Sequence, residues 1–66
     1  MKVLVIGGGG REHAIIDAIS KSKQVTKIYA APGNAGIAQL AECLPIKDTD
    51  VDTLVTFAYN HAIDLT

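Results

Sequence analysis

Four consecutive glycines, Gly7 to Gly10, follow an apolar run at the start of the chain, and a helix-like pattern follows them. Backbone N–H groups at the start of a helix lack partners, and the helix dipole favours negative charge there. Glycine also lets a phosphate approach the backbone closely. A tight turn would use glycine too, but it would not need so many. The pattern therefore favours a phosphate-binding loop at Gly8, Gly9, Gly10 and Arg11.

Three ionisable side chains, Arg11, Glu12 and His13, occupy the first turn of that helix. An arginine can bind a phosphate through two parallel hydrogen bonds. A glutamate is favoured by the positive end of the helix dipole, and His13 can donate to a ligand or pack against another loop. For each of the three, a solvated or purely structural residue is the alternative.

The glycine run departs from the known nucleotide motifs. The dinucleotide fingerprint is G-x-G-x-x-G with an acidic residue about 20 positions later. Glu12 or His13 stands where the third glycine belongs, and Ala30, Ala31 and Pro32 stand where the acid belongs. No Gly-Lys-Ser/Thr follows, so the Walker motif is absent as well. An NAD- or FAD-binding oxidoreductase stays open as one alternative, and a non-enzymatic regulatory α/β module as another.

The histidines and the cysteine form no second cluster of candidate functional residues in the sequence. His13 and His61 are isolated, and Cys43 is the only cysteine. A metal centre needs several such ligands, and a single cysteine forms no internal disulfide, which fits a reducing cytoplasm. We expect no catalytic residue and no metal ligand in this chain.

The elements that must position these residues alternate between strand and helix. Lys2–Ile6 predicts a strand buried on both faces, and Arg11–Ser20 predicts a helix. Val25–Ala31 predicts a second strand, and Pro32–Gly36 a loop. The apolar stripe expected on the helix consists of Ala14, Ile15, Ala18 and Ile19.

The second half of the chain repeats the alternation. Ile37–Glu42 predicts a short helical turn, and Cys43–Ile46 a weak strand near an edge, because Pro45 cannot donate to a ladder. A second helix is expected after Thr49, and Ile63 would open a fourth strand. The buried face expected on this helix consists of Val51, Leu54, Val55 and Ala58.

Strands that alternate with helices imply parallel pairing and right-handed crossovers. We predict an α/β fold, a partial doubly wound, Rossmann-like parallel sheet with strand order 3-2-1-4, truncated in the fourth strand. Ligands of such sheets bind where the winding reverses, here above the glycine run. Since Ile63–Thr66 stops within a strand-like pattern, residues 1–66 are interpreted as an incomplete N-terminal substrate-binding domain.

The composition is that of an ordinary globular domain. Six Lys/Arg and seven Asp/Glu among 66 residues give a net charge of 6 − 7 = −1, and 48% of the residues are hydrophobic. This composition excludes a disordered tail and disfavours nucleic-acid and polybasic membrane modules. No signal-peptide core or membrane-length apolar run is present. We therefore expect a cytoplasmic protein that binds neither nucleic acid nor membrane.

The stretch Met1–Ala14 resembles the opening of the phosphoribosylamine–glycine ligases, also called glycinamide ribonucleotide synthetases, whose signature there is G-x-G-G-R-E-H-A. The second family motif, A-P-G-N-x-G, is matched by Ala31–Gly36 at the expected spacing. Ile63–Thr66 is similar to a later family strand that runs on into a loop with Gly-Pro-Glu.

This resemblance implies a pre-ATP-grasp domain of a ligase of purine synthesis, which joins glycine to 5-phosphoribosylamine through a glycyl phosphate. It implies that ATP and Mg²⁺ or Mn²⁺ are bound by the remaining domains of the same polypeptide, and that this chain alone is inactive. It also implies a site for the phosphorylated ribose substrate. One wall of that site would be formed by Gly9, Gly10, Arg11, Glu12 and His13, and the second wall by Pro32, Gly33 and Asn34.

Overall fold

A computed structural model describes all residues from Met1 to Thr66 as a parallel three-stranded sheet with helices on both faces. The predicted α/β class is confirmed. Neither helix is long and apolar enough to cross a membrane. In chain order the elements are β1 (Lys2–Gly7), α1 (Gly10–Ser20), β2 (Lys27–Pro32), a 3₁₀ turn (Ile37–Gln39), β3 (Glu42–Cys43) and α2 (Val51–Asn60).

The sheet order is β1-β2-β3, and all pairs are parallel. β1 and β2 pair along their whole length, from Lys2 opposite Lys27 to Gly7 opposite Pro32. The two strands therefore end at the same edge of the sheet, which places the glycine run beside the loop that follows Pro32. β3 lies at the edge, as predicted, but it covers Glu42–Cys43 and shares only Cys43 with the predicted Cys43–Ile46. It ends early because Pro45 has no N–H with which to continue the ladder.

The predicted fourth strand is represented by a single parallel bridge between Val3 and Leu65. The Leu4 N–H donates to the Leu65 carbonyl at 2.9 Å, and the Asp64 N–H donates to the Lys2 carbonyl at 2.9 Å. These bonds lie on the side of β1 that does not pair with β2. Since one bridge does not make a strand, the complete order 3-2-1-4 stays a prediction.

One hydrophobic cluster lies on each face of the sheet. Neighbouring residues of a strand point to opposite faces, so Ala30 packs towards α1 and Ala31 towards α2. Burying one leucine or isoleucine side chain of these clusters contributes about 1.5–3 kcal/mol. The cluster on the α2 face consists of Leu4, Ala31, Leu44 and Leu54, and the one on the α1 face of Ile16, Ile28, Ala30 and Ile37.

The stripe predicted for α1 is wrong in detail. The buried residue of this helix is Ile16, which lies outside the predicted stripe. Ile15 is 47% exposed, Ala14 and Ala18 are exposed, and Ile19 is half-buried. The reason is that α1 packs through Ile16 onto β2 and the 3₁₀ turn, while its other flank faces the uncovered side of β1.

The buried face predicted for α2 is half right. Leu54 is buried and Ala58 is half-buried, whereas Val51 and Val55 are 63% and 62% exposed. The two valines lie beyond the edge of the sheet that would have to cover them. His61 ends this helix as its C-cap residue.

The N-cap of α2 is Asp50, one residue later than the expected Thr49. The Asp50 carboxylate accepts hydrogen bonds from the Thr53 N–H at 3.3 Å and from the Thr53 Oγ1 at 2.8 Å. A carboxylate can make this cap, and its negative charge is stabilised by the positive end of the helix dipole.

Candidate functional site

The glycine loop turns the end of β1 directly into α1. Gly7 has φ +128°, a value that L side chains rarely adopt, so a glycine is required there. Gly9 is the N-cap of α1 and has no side chain to bond the first turn. The helical hydrogen bonds begin with the His13 N–H, which donates to the Gly9 carbonyl at 3.0 Å. The N–H groups of Gly10, Arg11 and Glu12 therefore have no intrahelical acceptor.

The loop that follows β2 lies against the glycine loop. The Gly33 N–H donates to the Gly7 carbonyl at 3.1 Å, and Asn34 Nδ2 donates to the Gly8 carbonyl at 2.6 Å. A methyl group on Gly8 would lie only 2.5 Å from the Gly33 carbonyl oxygen. The two sequence motifs therefore meet, although Gly8 and Asn34 are 26 positions apart in sequence.

The second loop packs against the side chain of Cys43. Gly33 has φ +72°, and a methyl group there would collide with Cys43 Sγ. The Cys43 thiol donates to the Asn34 carbonyl at 3.6 Å. Pro32 is exposed at the end of β2. The sequence does not predict this contact, because Cys43 follows the motif at a distance and reaches the second loop only through the pairing of β3 with β2.

His13 packs against the second loop. A methyl group on Gly36 would lie 2.8 Å from His13 Cε1 and 3.2 Å from its Nδ1. His13 is half-buried. The imidazole thus fills the space that Gly36 leaves, which is the packing role that the sequence had offered as one of its two possibilities.

Glu12 and Arg11 are placed differently although they are neighbours. The half-buried Glu12 carboxylate folds back over the loop, against Gly7, and its Oε2 would lie 3.2 Å from a methyl group on Gly9. A negative charge there is favoured by the helix dipole. Arg11 is exposed and takes part in neither of the ion pairs of the chain, which join Lys21 to Asp17 and Lys27 to Glu42.

The groups gathered at the two loops are suited to binding a ligand and not to catalysing a reaction. They include unpaired backbone N–H groups, an exposed guanidinium and one carboxylate, without a nucleophile and base in contact. No three His, Cys, Asp or Glu side chains come together as metal ligands. All nine residues predicted for the site lie in these two adjoining loops, in the first turn of α1 or at the end of β2. Whether each touches a ligand stays a prediction.

Two apolar grooves lie away from the loops, along the side of β1 that does not pair with β2. The first, about 290 Å³, lies between β1 and α2 and includes Val51 and Val55. The second, about 480 Å³, lies between β1 and α1 and includes Ile15 and Ile19. Both reach Thr66, and neither is lined by the glycine loop.

A family model described as the N domain of phosphoribosylglycinamide synthetase matches residues 1–66. The chain is 59% identical over 66 residues to a phosphoribosylamine–glycine ligase of Caldanaerobacter subterraneus subsp. tengcongensis, covering 100% of this chain and 16% of that relative. It is 48% identical over 66 residues to the ligase of Halalkalibacterium halodurans, covering 100% of this chain and 15% of the relative. The corresponding match in Rhizobium meliloti is 50% identical over 64 residues, covering 97% of this chain and 15% of the relative. The chain thus spans well under a fifth of the length of these curated relatives.

Proposed function

Because the chain belongs to the family of the phosphoribosylglycinamide synthetase N domain, we propose that it binds the phosphorylated ribose substrate of a ligase. The complete polypeptide would join glycine to 5-phosphoribosylamine at the expense of ATP. The observation that carries the proposal is the meeting of the glycine loop with the loop of Gly33 and Asn34 at the carboxyl ends of two parallel strands. Ligands of doubly wound sheets bind at such ends.

The phosphate would lie against the N–H groups of Gly9, Gly10 and Arg11. Unpaired donors and the positive end of the α1 dipole converge there. The Arg11 guanidinium is exposed beside this point and is free to form charge-assisted hydrogen bonds. The Glu12 carboxylate lies beside both Gly7 and Gly9, so repulsion between like charges would direct an anion away from this side of the loop.

ATP and the metal ion belong to the rest of the polypeptide in this proposal. The glycine loop is not followed by Gly-Lys-Ser/Thr, and the chain gathers no carboxylate cluster that would suit Mg²⁺ or Mn²⁺. The remaining domains would also complete the sheet, with a fourth strand beside β1 that continues the bridge at Leu65 and gives the order 3-2-1-4. We place this enzyme in the cytoplasm.

A titration of the complete polypeptide with ribose 5-phosphate, followed by backbone amide shifts, tests the site. We expect shifts at Gly7–His13 and Pro32–Gly36, and weaker binding at higher salt, because exposed charges are screened. Shifts confined to Thr49–His61, with both loops silent, would show that the proposed site is wrong.

The Gly9→Val variant sharpens this experiment. Gly9 has φ −87° and ψ −178°, so valine meets no backbone strain there. Its branched side chain would instead crowd Glu12 Oε2 and displace the loop whose N–H groups are proposed to hold the phosphate. We expect loss of the ribose 5-phosphate shifts, while an Ala18→Val control at an exposed position of the same helix binds as the wild type does.

A further inference from the structure

Both polar atoms of the Asn34 side chain are engaged with the backbone. Nδ2 donates to the Gly8 carbonyl at 2.6 Å, and Oδ1 accepts from the Ile37 N–H at 2.8 Å. These partners also determine the orientation of the amide, because a carbonyl can only accept and a backbone N–H can only donate. The side chain therefore ties the glycine loop to the 3₁₀ turn.

The bond to Gly8 determines the direction of the next N–H group. The Gly8–Gly9 peptide is trans, and in a trans peptide the C=O and N–H bonds point in opposite directions. Since the Gly8 carbonyl points to Asn34, the Gly9 N–H points away from the second loop. No group of the chain accepts this N–H.

Two glycines in succession leave this peptide free to rotate unless something holds it. A rotated peptide would present the Gly8 carbonyl oxygen, which repels an anion, in place of the Gly9 N–H. The Asn34 amide forms the one side-chain hydrogen bond between the two loops. It is therefore the group that can hold the peptide in its binding orientation.

We propose that Asn34 is a positioning residue, which holds the Gly8–Gly9 peptide with its N–H directed at the substrate phosphate, and not a direct substrate ligand. This inference rests on the proposed function. It reassigns a residue that the sequence places on the second wall of the site. The close approach of Gly8 to the Gly33 carbonyl supports it, since the two loops leave no room between them for a ligand at this point.

The variant Asn34→Asp tests the role because it preserves size and keeps the acceptor for the Ile37 N–H. The ionised carboxylate would face the Gly8 carbonyl oxygen and repel it. The Gly8 carbonyl disfavours the ionised form and the Ile37 N–H favours it, so the two act on the pKa of the introduced carboxyl in opposite directions. Protonation restores an O–H donor to Gly8. The bond to Gly8 is therefore present while this carboxyl is protonated and is lost as the pH rises through its pKa.

Other groups that titrate or carry charge lie near this point. His13 packs at Gly36, the Glu12 carboxylate lies against Gly7 and the Cys43 thiol bonds the Asn34 carbonyl; Arg11 is exposed in the first turn of α1. The wild-type protein contains all of them. The Gly9 amide shift and the KM of N34D are therefore compared with those of the wild type at the same pH.

The measurements are made on the complete polypeptide with ¹⁵N-labelled glycine. In the ligand-free protein we expect the Gly9 amide of N34D to differ from the wild type near about pH 8, and to approach it only as the pH falls through the pKa of the introduced carboxyl. Near about pH 8 we expect the KM for the phosphorylated ribose substrate to rise about tenfold, with kcat changed less than about twofold because only binding is weakened. The KM should return towards the wild-type value only as the pH falls through the pKa of the introduced carboxyl.

The control is N34A, which removes the donor without adding charge, and its KM should be raised at every pH. If N34D does not fold at the higher pH, the KM of N34A carries the test. Wild-type KM and an unchanged Gly9 amide in N34D would overturn the proposal. If the wild type binds ribose 5-phosphate without shifts at Gly9 to Arg11, the proposed site fails, and the positioning role fails with it even where N34D changes the Gly9 amide.

Discussion

On one side β1 pairs with β2 from Lys2 to Gly7, and on the other side it forms a single bridge, from Val3 to Leu65. The first side carries the two motif loops, which are tied to each other by backbone bonds and by the Asn34 amide. The second side carries the two apolar grooves. The part of the chain that would contact substrate is thus organised by its own residues, whereas the opposite side of the same strand still exposes apolar side chains.

Helix α1 shows the same difference between adjacent residues. Ile16 is fully buried against β2 and the 3₁₀ turn, while Ile15 is 47% exposed beside the open side of β1. The comparison teaches that burial follows the strand that a residue faces, and not only its place in an apolar pattern. Three pairs of substitutions test it. In each pair, one variant removes or disturbs a contact seen in the structure, and the matched variant changes a similar residue that lacks this contact.

The largest effect is expected from Ile16→Ala. Removing a fully buried isoleucine costs about 2–5 kcal/mol in the free energy of unfolding, whereas Ile15→Ala should cost less than about 1 kcal/mol in the 66-residue chain. Urea denaturation measures both values. Equal losses would contradict the comparison. A larger loss for Ile15→Ala in the complete polypeptide would show that further chain covers this groove.

A smaller effect is expected from Gly8→Ala, which tests the side of β1 that pairs with β2, where the two loops meet. The added methyl group would lie 2.5 Å from the Gly33 carbonyl oxygen, so the loops must separate. We expect a loss of about 1–3 kcal/mol in the free energy of unfolding.

The matched variant is Gly10→Ala, where a methyl group meets nothing within 4 Å at the start of α1. Alanine is the better helix former, so we expect a stability between unchanged and about 1 kcal/mol higher. Thermal unfolding compares the pair, and a tolerated Gly8→Ala would mean that the loops do not need their close contact.

The smallest effect is expected from Asp64→Ala, on the side of β1 that does not pair with β2. Asp64 Oδ2 accepts from the Lys2 N–H at 2.7 Å and helps to hold the end of the chain beside β1. Because this bond is exposed, its loss should cost about 0.5–1.5 kcal/mol. Asp48→Ala removes the same charge at a side chain without a hydrogen bond, and should change the stability by less than about 0.5 kcal/mol. If the two variants match in urea denaturation, the bond at Lys2 contributes nothing.

Local sequence signals were sufficient for both helices, for the first two strands and for the meeting of the two motif loops. A β-branched run that ends in glycines is compatible with little besides a buried strand followed by a loop, and both helices begin within a residue or two of the expected positions. The alternation of strand and helix predicted a parallel sheet, and parallel neighbours bring their carboxyl ends together. The meeting of the two motif loops follows from these properties of the sequence.

Only the tertiary structure decided which apolar residues are buried and what the site side chains contact. An apolar stripe does not specify how much of it a neighbour will cover, so Val51, Val55 and Ile15 are exposed beside a strand with one open side. The Asn34 bond to Gly8 and the packing of His13 on Gly36 join residues that are distant in sequence. Their geometry depends on the register of β1 against β2, which sequence spacing alone does not determine.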